Sequence, residues 1–113
     1  MTSIDLEFAP KWYVSKVTQV GVAAPTDAVV YNTLMQPAVW TYQGVGSYRV
    51  QWVFPFFAAS KAVYWLAPGQ GVFFQWTAQL FGGVGITFTI ENQAGAATDA
   101  LLNAAPFFVV YFP

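Results

Sequence analysis

From Val84 to Glu91 the chain alternates strictly, with Val84, Ile86, Phe88 and Ile90 apolar and Thr87, Thr89 and Glu91 falling between them. A period of two puts alternate side chains on opposite faces of an extended strand, so one face of this segment belongs on a core and the other in water. The stretch Val72 to Leu80 repeats the pattern, with Val72, Phe74, Trp76, Ala78 and Leu80 as its inward set. Phe81-Gly82-Gly83 joins the two. Glycine enters positive φ without a Cβ clash, so this junction predicts a tight hairpin. Ser47 to Phe54 reads the same way, with Tyr48, Val50, Trp52 and Phe54 inward and Ser47, Arg49 and Gln51 outward.

β-branched and aromatic enrichment predicts further strands at Trp12 to Val20, Ala28 to Tyr31, Ala38 to Tyr42, Lys61 to Leu66 and Phe107 to Phe112. Turn-forming stretches separate them, among them Ala24-Pro25-Thr26-Asp27, Gly44-Val45-Gly46 and Ala67-Pro68-Gly69. Ala62 to Ile90 carries no charge, but Pro68-Gly69-Gln70-Gly71 and Gly82-Gly83 cut it into short pieces that alternate at period two, so it does not read as a spanning helix. A transmembrane β-barrel shares that alternation and stands as a rival. The one helix candidate is Ala96 to Ala105, with Thr98 as its cap. About eight short strands without helical crossovers predict an all-β, single-domain antiparallel β-sandwich of the jelly-roll kind over residues 1–113, with residues 1–10 as an N-terminal arm.

Composition narrows the function. Of 113 residues 57% are hydrophobic and only 8% charged, the reverse of a disordered chain. Four Lys and Arg residues against five Asp and Glu give a net charge of −1. So few dispersed cations cannot track a phosphate backbone, and nucleic-acid binding is not expected. Met1 to Lys11 carries Asp5 and Glu7 and no long apolar run, which does not fit a secretory signal.

The chain has no Cys and no His. That removes the usual nucleophiles and bases, and the usual ligands of zinc, copper and haem; calcium held by carboxylates and carbonyls stays open. Asp5 and Glu7 share a face if extended and could in principle do paired acid/base work, but near a terminus they read as solubilising charges. Glu91 and Asp99 read as loop solvation or a cap. Gly69-Gln70-Gly71 and Gly82-Gly83-Val84-Gly85 lack the strand-to-helix context and the Lys of a phosphate cradle. No catalytic residue, cofactor or metal is predicted.

The excess lies in the aromatics: 5 Trp, 6 Tyr and 11 Phe. Trp52 and Trp76 fall on inward faces, whereas Trp12, Trp40 and Trp65 have no clear inward assignment and are candidates for glycan platforms. Phe107 to Phe112 is apolar on both faces and needs cover on both, from a partner or from a loop over a central strand. Phe56, Phe57, Phe73 and Phe81, with Phe108, Val110 and Phe112, are hard to bury in one small core and are the candidate interface. Obligate interfaces resemble a core cut in half and ask for such a composition. The expectation is a non-enzymatic structural subunit, a homo-oligomer of three or more chains with other shell proteins as partners. A virion capsid, cement (decoration) or tail component is the preferred case, made in a host cytoplasm, with membrane contact not expected. The alternative is a carbohydrate-binding module or lectin using exposed Trp and Tyr.

Overall fold

The computed structural model describes residues 9–55, 57–58, 61–69 and 71–113. Its strands are β1 (Lys11–Thr18), β2 (Thr26–Asn32), β3 (Val39–Gly44), β4 (Ser47–Gln51), β5 (Ala62–Leu66), β6 (Gln75–Phe81), β7 (Gly85–Glu91) and β8 (Ala105–Tyr111). They form two four-stranded antiparallel sheets, A in the order β2-β1-β8-β5 and B in the order β3-β4-β7-β6. Among the described residues the end strands of both sheets pair on one side only, and neither sheet closes into a barrel. The all-β sandwich predicted from the alternation is what forms.

The strand order is that of a β-sandwich and does not confirm the jelly-roll form. Here successive strands pair only as β1–β2, β3–β4 and β6–β7, and each remaining connection crosses between sheets. The sheets are completed by long-range pairs, β1 with β8, β5 with β8 and β4 with β7.

Side chains from the inward parity of both sheets meet in one core. Tyr13 and Val17 of β1, Leu66 of β5, and Phe107 and Val109 of β8 pack against Trp40, Tyr48, Val50, Ile86, Phe88 and Ile90 of sheet B. Phe107 is the hub: its ring lies 5.7 Å from Phe88 at 89° and 5.3 Å from Trp40 at 71°. Edge-to-face rings place a positive edge on a negative face, so crossed aromatics fill the gap between sheets and attract beyond their area.

Two glycines are required by geometry. Gly82 has φ 57° in the β6–β7 turn, where Val84 donates its N–H to the Phe81 carbonyl at 3.3 Å, giving the hairpin predicted there. Gly46 has φ 67°, and a Cβ on it would come within 2.6 Å of the Ile90 carbonyl oxygen.

Some local expectations change. No α-helix forms at 96–105: Ala100 and Ala104 take positive φ, which breaks any helical run, and Ala97 bridges Glu91 instead. Thr98 caps nothing; it donates its N–H to the Ile90 carbonyl and its hydroxyl to the Ala96 carbonyl. Phe54 and Leu80, placed inward by parity, are exposed. Phe54 follows the end of β4, and Leu80 is the penultimate residue of an edge strand flanked by one neighbour instead of two.

Candidate interaction surface

Parity along each strand decides what the outward faces carry, and register lines the residues into rows. On sheet B one row reads Thr41, Arg49, Thr87 and Gln79, and another reads Ser47, Thr89 and Thr77. Arg49 donates from Nε to the Thr87 hydroxyl at 3.0 Å and lays its guanidinium 3.8 Å from the centre of the Phe81 ring. A cation over a ring face is held by the ring quadrupole, so this charge is drawn down onto the sheet. A shallow depression of about 320 Å³ runs between Thr77, Gln79, Thr87 and Thr89. This face is hydroxyl and amide throughout its centre, the solvated side of an antiparallel sheet.

Sheet A is different. Its central outward row reads Tyr31, Val14, Phe108 and Trp65, and the next reads Trp12, Val110 and Val63. Lys16 stands with Ala28 and Pro106 at one end of this grid, and Lys61 stands beside Phe112 at the other. The rings of Trp12 and Phe108 lie 6.2 Å apart. Trp65, 54% exposed, meets Trp76 of sheet B edge-on at 5.5 Å and so closes the side where β5 and β6 lie together.

The predicted interface residues divide between inside and outside. Phe73 is 74% exposed in the β5–β6 connection, and Phe81 and Phe112 are exposed as well. Phe108 is half-buried in the sheet A grid. Phe57 is buried, packing on Trp52 at 5.9 Å and Tyr64 at 6.0 Å, so it belongs to the core. Val110 is 4% exposed, because β8 is a central strand and Val110 sits in register between Trp12 and Val63. Phe56 lies outside the described residues. Of the glycan-platform candidates Trp12 and Trp65 are exposed, while Trp40 is 7% exposed and presents no free ring face, being stacked on Phe88 and edge-on to Phe107.

Sequence reasoning missed Val63 and Tyr31, which extend the apolar grid to the two edge strands. A signal was there: Ala62 to Leu66 is apolar at both parities. It also missed what Asp99 does. One carboxylate oxygen accepts the Gly46 N–H at 2.8 Å and the other the Tyr42 hydroxyl at 2.8 Å. The Tyr48 hydroxyl lies between Asp99 Oδ1 at 2.8 Å and Gln19 Oε1 at 2.9 Å, its single proton shared by two acceptors. Gln19 in turn accepts the Ala100 N–H at 2.6 Å and donates to the Gly21 and Ala23 carbonyls. Asp99 therefore ties the β3–β4 hairpin of sheet B to the loop that leads into β8 of sheet A.

Charge and burial shift these groups in opposite directions. Burial, then the hydrogen bond to Asp99, pushes the Tyr48 hydroxyl far above its ordinary range. Burial, then Asp27, does the same to Tyr13, whose hydroxyl donates to the Asp27 carboxylate. For Asp99 burial works upward, but the Gly46 N–H and the Tyr42 and Tyr48 hydroxyls outweigh it and hold the carboxyl below its usual value. Tyr42 and Tyr48 serve Asp99, and Tyr13 serves Asp27.

A groove of about 300 Å³ at one end of the sandwich is lined by Lys11, Leu34, Phe54 and Tyr111 among others. Among the described residues no group of three or more carboxylates is placed to hold a metal ion, and no helix is long and apolar enough to cross a membrane. Comparison with protein-family models, curated proteins and solved structures finds no match to this chain.

Proposed function

We propose that the protein is a structural subunit that works by assembling, with no chemistry of its own. One observation carries the reading: among the described residues seventeen large hydrophobic side chains are exposed, whereas of the charged ones only Lys16 and Lys61 are. A free-standing domain of this size covers roughly a quarter to a third of its surface with charge of both signs. Where such side chains adjoin, as Tyr31, Trp65, Trp12 and Val63 do around Phe108 on sheet A, they mark a contact with another molecule. Within this reading a virion component, as shell, cement or tail protein, suits a small β-domain whose sequence holds only four dispersed Lys and Arg residues. A decorating or shell-reinforcing place fits better than direct contact with a genome.

Size-exclusion chromatography with light scattering tests it. The purified chain is expected to run as a particle of three or more copies, or to be insoluble alone. A monomer at high concentration overturns the reading.

Exposed Trp12 and Trp65 support a second reading, a carbohydrate-binding module, because flat rings stack on sugar rings without any titratable group. Glycan-array binding by the wild type that Trp12→Ala or Trp65→Ala abolishes would establish it. Binding unchanged by both, or absent from the wild type, removes it.

A further inference from the structure

Sheet A is apolar on both of its faces, and sheet B on one. Phe107 and Val109 of β8 point into the core, while Phe108 and Val110, the residues that alternate with them, point outward into a grid bounded by Trp12, Tyr31, Val63 and Trp65. Within the described residues this face holds two charges, Lys16 and Lys61, at opposite ends, and its centre holds none. We infer that the outer face of sheet A packs against the same face of a second copy of this chain, giving four layers in the order B, A, A, B.

The arrangement follows from where the polar residues went. A two-fold contact through sheet A buries both apolar outer faces at once and leaves both Thr, Gln and Arg49 faces of sheet B in water. Pairing A against B would instead cover hydroxyls and amides with valine and tryptophan and leave one apolar face bare. Such an isologous contact is self-complementary and closes on itself.

Four strands at about 4.8 Å spacing and seven residues at about 3.3 Å rise give a face of roughly 19 by 23 Å, about 440 Å² in projection. Side-chain relief raises the accessible area above that but short of the ~800 Å² per partner of a standard interface, which places this contact at the small end of the specific range. Aromatic anchors at the centre and lysines whose stems reach the rim match the makeup of interface cores and edges. A net charge of −1 per chain adds almost no long-range repulsion between two copies.

This inference rests on the assembly reading, and one set of measurements separates the two. The chain has no cysteine, so Val63→Cys and Thr77→Cys each introduce a single thiol, one on the outer face of sheet A and one on that of sheet B. Both positions are exposed in the single chain, which makes the variants mild. At a chain concentration about ten times the dimer dissociation constant roughly one chain in five is free, so maleimide should label the Val63→Cys thiol about fivefold more slowly than the Thr77→Cys thiol. Dilution should bring the two rates together, and Val63→Lys should halve the particle mass or reduce it to one chain. An assembled particle in which both thiols react equally fast, or one built of an odd number of chains, overturns the sheet A pairing and leaves the assembly reading standing. A stable dimer that grows no further keeps the pairing and overturns the larger particle. A monomer overturns both, and a monomer that sediments with phosphatidylserine vesicles, and ceases to with Val63→Asp, gives this face to lipid instead.

Discussion

On its outward side sheet B carries Thr41, Arg49, Thr87 and Gln79 in one cross-strand row, where sheet A carries Tyr31, Val14, Phe108 and Trp65. The two sheets share a core and a strand count, so the fold does not demand this difference. A sandwich needs one apolar parity per strand. Sheet B stops there and gives its second parity to hydroxyls and amides, whereas sheet A spends its second parity on rings and valines. Stability of a single chain asks only for the inner faces, and the extra apolar parity of sheet A is what the proposed contact would use.

Neighbouring residues on β8 test that division most sharply. Phe107→Ala should cost about 3–5 kcal/mol of unfolding free energy by removing a ring that bridges the sheets. Phe108→Ala should cost clearly less in the isolated chain while weakening association, which denaturant unfolding and light scattering would read separately. Equal losses of stability for the two would mean that the outer face of sheet A is part of the chain's own core.

The tie between the sheets comes next. Gly46→Ala puts a Cβ within 2.6 Å of a backbone oxygen at positive φ, and should destabilise by more than about 1 kcal/mol. Tyr48→Phe removes the hydroxyl between Asp99 and Gln19 and should cost about 1 kcal/mol. Because the folded Asp99 carboxyl titrates below its unfolded value of about 3.9, its contribution is present above that pH and is lost as pH falls through the folded value. Asp99→Asn should therefore flatten the acid limb of stability against pH, and an unchanged limb would show that the carboxylate contributes nothing there.

Smallest of all, Thr89→Lys on the outer face of sheet B should shift stability by no more than about 0.5 kcal/mol and leave particle mass unchanged. A drop in mass would move the contact from sheet A to sheet B.

Much of this was legible in particular segments. The β6–β7 hairpin could be read from alternation on either side of Gly82-Gly83, because a hairpin is local and its turn chemistry lies between its own strands. All eight strands were found, with ends displaced by a few residues where side-chain parity outlasts backbone pairing, as at Trp52, which points into the core beyond the end of β4. The outer face of sheet A was half legible: Phe108 and Phe112 stood out, Val63 and Tyr31 did not. Trp40 could not be assigned from its neighbours, since its place between Phe88 and Phe107 depends on residues far along the chain.

Local pattern by itself determined that the chain is β, where its strands lie, and that it carries more apolar side chain than charge. Period-two alternation and turn residues are properties of adjacent positions, and composition needs no fold at all. Only the tertiary structure decided the strand order, because pairing β1 with β8 and β4 with β7 joins segments whose affinity for each other leaves no local trace. It also decided which surplus rings turn in and which stay out, and it brought Asp99 to a hairpin more than fifty residues away. Burial and hydrogen-bond satisfaction are decided by neighbours in space, and those neighbours exist only once the sheets have met.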